Sequence, residues 1–252
     1  PVNVENVAWV TERKTILSAL LFFAALLVYV RARERGSRVP WAGAAVLGAA
    51  AMLAKPAAVV LPLVIAAYER WQRPDPRVRL ALPLLPISVA ASVPTFWAHL
   101  AQSIPAESIA PGTLLGTVYP TTVVIWWKYL RLLAWPAGLS AFHDTTLHGW
   151  LDAPVIAAVV AWVAAVALVW VRGSREVRFW FAWFWICLLP VSNLLPLNVY
   201  YADRYLYAPA VGAFVLLGLA VSRAREALLA RGHARAAAVP VAMVAALAVA
   251  AG

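Results

Sequence analysis

Long uncharged stretches alternate along this chain with short arginine-rich ones, the pattern expected where a hydrocarbon slab of about 30 Å requires about 20 apolar residues per helix. Apolar spans are predicted at about residues 15–30, 39–54, 57–70, 80–98, 154–171, 179–197, 206–222 and 236–252. The second and third form one run broken at Lys55-Pro56, where proline ends or kinks a helix. A hairpin explains that break better than one long helix. The flanking segments 31–38 and 70–79 each hold four arginines, and the positive-inside rule wants both on the cytoplasmic side. Each arm has about 16 residues, roughly 24 Å of helix, workable if Arg38 and Arg70 snorkel to the interface. Lys55 then lies at the outer end.

Carried through the chain, this alternation puts 15 of the 21 Lys and Arg inside and leaves Arg13, Lys14, Lys55, Lys128, Arg131 and Arg204 outside. The segment 121–136, TTVVIWWKYLRLLAWP, is apolar but lies between two stretches free of Lys and Arg. It reads as an interfacial or re-entrant helix on the outer side, with Trp126, Trp127, Tyr129 and Trp135 at headgroup level. A ninth span would invert every loop after it. No internal repeat and no Gly/Ser linker divides the chain, so one all-α membrane domain is expected.

Composition agrees. The 252 residues are 64% hydrophobic and 13% charged, with mean hydropathy +0.79, against roughly 45–50% apolar and 25% charged in soluble domains. A net charge of +10 would suggest nucleic acid in a soluble protein, but the basic residues sit in clusters between apolar segments, so no nucleic-acid partner is expected. The single cysteine, Cys187, excludes a disulfide framework and a cysteine metal site. The chain starts at Pro1 and stops at Gly252 within an apolar run, from which a longer parent protein is expected. Its Ala, Arg and Trp bias fits a high-GC bacterial genome, hence an inner membrane.

Ionisable residues at membrane depth are costly and suggest function. Lys55, at a helix break near the outer headgroup plane, could meet a lipid phosphate; the alternative is a snorkelling lysine. Arg13 and Lys14 follow Glu5 and Glu12 just outside the first span, where four charges could bind a phosphate and a sugar hydroxyl or simply pair locally. Lys128 and Arg131, at i and i+3, share a helix face suited to anionic headgroups. The loop FHDTTLH, with His143, Asp144 and His148, matches no standard metal-ligand spacing and reads as an external loop shaping an acceptor pocket. In NVYYADRYLY, Asp203 and Arg204 sit among tyrosines, as a local ion pair or as an arginine aimed at phosphate. No GxxxxGKS, HExxH or GxSxG occurs, which leaves ATPase, zincin and serine-hydrolase readings without support.

Four blocks, PVNVENVAWVTERKTILSALLFF, MLAKPAAVVLPLVIAAYERW, WWKYLRLLAWPAGLSAFHD and LLPVSNLLPLNVYYADRYLYAPAVG, resemble in this order the membrane domain of the transmembrane and tetratricopeptide-repeat O-mannosyltransferase family. The likeness extends more loosely to protein O-mannosyltransferases and aminoarabinose transferases, where Lys before Gly-Pro or Pro opens a similar span. The resemblance implies a GT-C fold of about eight spans plus one interfacial helix. It implies an enzyme that takes a sugar, mannose or another hexose, from a polyprenyl-phosphate carrier and passes it to a protein or glycan hydroxyl at the non-cytoplasmic face. In such families the general base is an acid in the first external loop. The family block usually reads His-Pro-Val and only Pro1-Val2 stand here, so the resemblance puts the first span and that catalytic loop upstream, and tetratricopeptide repeats downstream. Asn3, where relatives often carry His, departs from the pattern.

Mapped onto this sequence, Glu5 becomes a secondary acid. Lys55 and Arg204, then Arg13, Lys14 and Arg131, become cations for the departing phosphate, and His143 and Asp144 the acceptor loop. No metal or other cofactor is expected, because phosphate can leave with lysine and arginine support alone. The main rival is a polytopic transporter or flippase, which would carry inverted repeats and charges near the midplane; a lipid-glycan polymerase or ligase, or an inactive scaffold, is the other alternative.

Overall fold

The computed structural model describes residues 4–35, 40–73, 111–141, 143–194, 199–233 and 236–251, with Ala90, Val93 and Trp97. Every regular element among these residues is helical. The predicted span at 80–98 and the residues Pro1, Val2 and Asn3 fall outside them, those three isolated positions apart; each of the other seven predicted spans overlaps a helix, and the one at 179–197 outruns its helix, which ends at Leu188 before a 3-10 turn to Val191.

A short helix α1 (Val4–Ala8) and a 3-10 turn (Val10–Glu12) lead into α2 (Arg13–Arg35). The buried residues of α2 are Thr15, Ser18, Phe22, Ala25, Tyr29 and Ala32, spaced by three and four so that they form one stripe. Against it lies α3 (Pro40–Ala54), running antiparallel, with the Ser18 hydroxyl donating to the Ala51 carbonyl at 2.8 Å. At Lys55 the backbone opens to φ −153°, ψ 127°, because Pro56 disfavours helical geometry in the residue before it. A 3-10 turn (Pro56–Val60) then leads into α4 (Leu61–Trp71).

The chain does reverse there. Lys55 meets Thr15 near the start of α2, while Glu69 near the end of α4 meets Tyr29 and Arg33 near the end of α2. Thus α4 runs parallel to α2 and antiparallel to α3. Thr15 and Arg33 are eighteen residues apart on one helix, so the two polar clusters are separated by about 27 Å along its axis. Between them the core is apolar, with Phe22, Ala25, Met52, Val64, Ile65 and Trp183 among its residues.

Three further helices continue the up-and-down arrangement: α6 (Ala153–Arg172), α7 (Arg175–Leu188) and α8 (Pro209–Ala230), preceded by α5 (Tyr119–Ala134) and followed by α9 (Val239–Ala251). Ser174 caps α7 through Val177 N–H and also accepts from Arg223 at 2.8 Å. At the opposite end of the same pair the Trp183 indole donates to the Ala208 carbonyl at 3.0 Å. After α7, Asn193 takes φ 53°, a left-handed position asparagine tolerates, and its amide donates to the Tyr200 carbonyl at 3.0 Å.

Helix α5 is longer than its apolar run suggests. A helical turn (Pro111–Thr113) and a π-helical turn (Leu114–Val118) precede it without interruption, in a stretch to which the sequence reading assigns no element. Its partners lie toward the Lys55 end of the bundle: Leu115 accepts from Trp150, Thr121 from the His148 amide, Trp127 donates to Ala158, and Tyr129 packs edge-on to Tyr201. Trp126, Trp127 and Trp185 gather around Trp162.

Two helical segments among the described residues, Val10–Arg35 and Ala153–Arg172, are long and apolar enough to cross a membrane. On α6 the outward side chains are themselves apolar, with Ile156, Val160, Val163, Leu168 and Val171 all exposed.

Candidate functional site

The break at Lys55 and the 3-10 turn (Asp203–Leu206) bring charges from opposite ends of the sequence together above α2. The Lys55 ammonium donates to Thr15 Oγ1 at 2.6 Å and lies 3.3 Å from Glu12 Oε2; the Thr15 hydroxyl donates to the same carboxylate at 2.5 Å. Arg204 Nη1 donates to Glu5 Oε1 at 2.6 Å and to the Ala141 carbonyl at 3.2 Å, while its Nε is 3.8 Å from Glu12 Oε1. The guanidinium also lies over the rings of Trp9 and Tyr205.

Below these cations opens a cleft with a cavity volume of about 70 Å³. Lys55, Arg204, Thr15 and Tyr205 line its polar end; Phe22, Phe23, Ala58, Val60, Cys187 and Val191 line the rest. Lys55 and Arg204 are among the residues lining the cleft, and Glu5 and Glu12, their carboxylate partners, are not. Burial depresses the Lys55 ammonium below the ordinary lysine range, with Glu12 opposing the shift through its charge and hydrogen bond. Burial acts against the charged form of Arg204 as well, but the Glu5 hydrogen bond together with the charges of Tyr205, Glu5 and Glu12 outweighs it and holds Arg204 above its ordinary value.

Of the residues singled out in the sequence, Lys55, Arg204 and Glu5 meet in one network. Glu5 enters it as the partner of Arg204, and its second oxygen is buried without a hydrogen-bond partner, so in this arrangement neither oxygen is open to a substrate hydroxyl. Arg13 and Lys14 are exposed and do not line the cleft, because the buried stripe of α2 passes through Thr15 and Ser18. Arg131 is exposed on α5, whose buried residues include Ile125, Tyr129 and Leu132. Lys128 sits 5.9 Å above the Tyr201 ring.

Asp203 is engaged away from its neighbour Arg204. It is 2% exposed, accepts the Ser140 amide at 2.8 Å, and lies 2.6 Å from His143 Nε2. The imidazole stacks on Tyr201 with centroids 4.1 Å apart. Asp144 is exposed, and His148 approaches Asp152 at 3.4 Å. Thr15 is the member the sequence reading missed; its position three residues after Glu12 was the available signal. No local signal links His143 to Asp203, sixty positions away.

No family model, curated protein or solved structure matches the chain.

Proposed function

We propose that this chain is a membrane domain of a GT-C-type glycosyltransferase, with about eight spans and α5 at the outer interface, moving a hexose from a polyprenyl-phosphate carrier to an acceptor hydroxyl at the non-cytoplasmic face. One observation carries the reading: two cations brought from distant parts of the sequence line a cleft whose remaining lining is mainly apolar, with Thr15, Ser18, Tyr205 and Tyr207 the polar exceptions. A polyprenyl phosphate has that same division, an anionic head on a hydrocarbon tail. Several features favour a membrane setting. The polar clusters lie about 27 Å apart, close to the thickness of a hydrocarbon core. The basic segments meet at the Glu69 end, where Arg73 pairs with Glu34, Trp71 packs on Trp170 and Arg223 reaches Ser174; this is the asymmetry of a cytoplasmic face.

The chemistry follows from charge. As the bond between the sugar and the phosphate oxygen breaks, negative charge grows on the phosphate, and Lys55 and Arg204 attract it more strongly in the transition state than before it. Only such differential attraction lowers the barrier. Glu12 and Glu5 hold the two cations in place before the donor arrives.

In the full-length protein, Lys55→Ala is expected to lower transfer from a synthetic polyprenyl-phosphate hexose by on the order of 10²-fold, the effect of losing one preorganised donor. Lys55→Arg recovers part, since a planar guanidinium differs from an ammonium in reach and hydration. The loss should persist in Lys55→Ala combined with Glu12→Gln, which removes the carboxylate otherwise stranded without its cation. Near-wild-type turnover of Lys55→Ala at matched expression would remove Lys55 from the site.

A further inference from the structure

The Thr15 hydroxyl is not used as helical threonines often use theirs. A threonine inside a helix can turn its hydroxyl back to the carbonyl four residues earlier, as Thr117 does to Thr113 at 2.9 Å and Thr122 to Val118 at 2.8 Å. Thr15, buried near the start of α2, donates instead to Glu12 Oε2 at 2.5 Å. A hydroxyl has one proton to give, so toward the Lys55 ammonium, 2.6 Å away, it is the acceptor. One neutral oxygen thus takes a short hydrogen bond from the cation and gives another to the anion.

The direct approach of the two ions is correspondingly long. Lys55 Nζ and Glu12 Oε2 are 3.3 Å apart, against about 2.7–2.9 Å for a charge-assisted N–H···O bond. Glu12 Oε1 stands 3.8 Å from Arg204 Nε, beyond hydrogen-bond reach. The carboxylate therefore lies between the two cations of the cleft without closing on either. The Lys55 main chain is fixed at the helix break, its amide donating to the Ala51 carbonyl and its carbonyl accepting from the Ala58 amide, so the ammonium can approach Glu12 only by rotation of its stem. Thr15 and Lys55 both line the cleft, and Glu12 does not.

We infer that Thr15 is a positioning residue for Lys55: by bridging the ammonium and Glu12 it keeps the ion pair from closing and leaves the cation available to a phosphate in the cleft. This rests on the glycosyltransferase reading above. Hydrogen bonds in which both partners are charged are roughly twice as strong as neutral ones. With Thr15 present, an incoming phosphate displaces the ammonium from a neutral oxygen and a stretched ion pair. Without it, the ammonium settles on Glu12, and the phosphate has to compete with a carboxylate in full contact.

The test measures binding of a radiolabelled synthetic polyprenyl-phosphate hexose to the full-length protein. Thr15→Val, of nearly the same volume, is expected to bind on the order of 10-fold more weakly, the effect of one hydrogen bond to a charged group, and Thr15→Ser to recover most of that loss. Adding Glu12→Gln to Thr15→Val should also recover binding, because the carboxylate on which the ammonium closes is gone. In a Lys55→Ala background Thr15→Val should cost nothing further, the non-additivity of a residue that acts through another. Should Thr15→Val not fold, Thr15→Ala with and without Glu12→Gln makes the same comparison. A threonine that only packs here predicts wild-type binding in Thr15→Val. A hydroxyl that itself holds the phosphate predicts a loss that Glu12→Gln does not recover and that persists without Lys55. Either result overturns the assignment. If the wild-type protein does not bind the donor, the glycosyltransferase reading fails and this inference falls with it; if wild type binds and Thr15→Val matches it, only the role of Thr15 is lost.

Discussion

At the scale of single residues, Lys55 decides how the cleft responds to pH. Burial lowers its pKa below 10.5, so the folded protein gives up this proton at a lower pH than the unfolded chain does. Between the folded value and 10.5 the unfolded state holds more protons, and stability attributable to this group rises with pH across that window. Binding of an anionic carrier has the opposite sign. It needs the charged ammonium and should weaken as pH rises through the folded value. In Lys55→Arg the guanidinium stays charged throughout, so the alkaline loss of carrier affinity should disappear from a titration of labelled carrier binding between about pH 7 and 10. The same alkaline limb in both proteins would show that another group controls binding. Lys55 and Arg204 could be singled out in the sequence because each is a cation at the end of an apolar run, away from the arginine clusters that the positive-inside bias gathers on one side. Their pairing was not legible. Arg204 chooses Glu5 at 2.6 Å, far away in sequence, and its neighbour Asp203 turns to His143, a choice made by the fold and by no local spacing.

At the scale of helices, most of the architecture follows from where the apolar runs start and stop, and the exceptions have physical causes. The reversal at Lys55 could be read from Pro56 and from the arginines on both flanks. The helical turns at Pro111–Val118 could not, because Pro111, Gly112, Gly116 and Pro120 carry the residue types that mark loops. Glycines also separate packing from mere propensity. A Cβ on Gly212 would stand 2.7 Å from the Trp180 carbonyl oxygen and 2.9 Å from Trp183 Cδ1, so α7 and α8 touch here through backbone that cannot move aside cheaply. Gly218, six residues along α8, would meet nothing within 4 Å. Gly212→Ala is expected to destabilise the protein by about 1–3 kcal/mol, as overpacking does, and Gly212→Val by more. Gly218→Ala should be neutral or stabilising by up to about 1 kcal/mol through helix propensity. Thermal unfolding in detergent, followed by tryptophan fluorescence, checks the pair; equal effects at both positions would mean that the α7–α8 contact is looser than these distances.

At the scale of the whole molecule, the polar clusters at the two ends are not alike. The Glu69 end joins Tyr29, Arg33 and Glu69 in a closed knot in which both Glu69 oxygens accept from Arg33 and Tyr29 donates at 2.7 Å. At the Lys55 end, Lys55 and Arg204 pair with Glu12 and Glu5 and line a cleft. A knot with its acceptors filled fits anchoring, and cations lining a cleft fit binding, so the ends should face different compartments with the arginine-rich one inside. In a Cys187→Ala background, cysteine at Thr146, exposed on the 143–149 loop near the Lys55 end, should react with an impermeant thiol reagent added to intact cells. Cysteine at Glu176, exposed in the first turn of α7 at the opposite end, should react only after the membrane is opened. Labelling of Glu176→Cys alone in intact cells would invert the molecule and put the cleft in the cytoplasm. Equal labelling of both in intact cells would mean that the bundle does not separate the two ends across a membrane, and the lipid-carrier reading would lose the barrier on which its geometry depends.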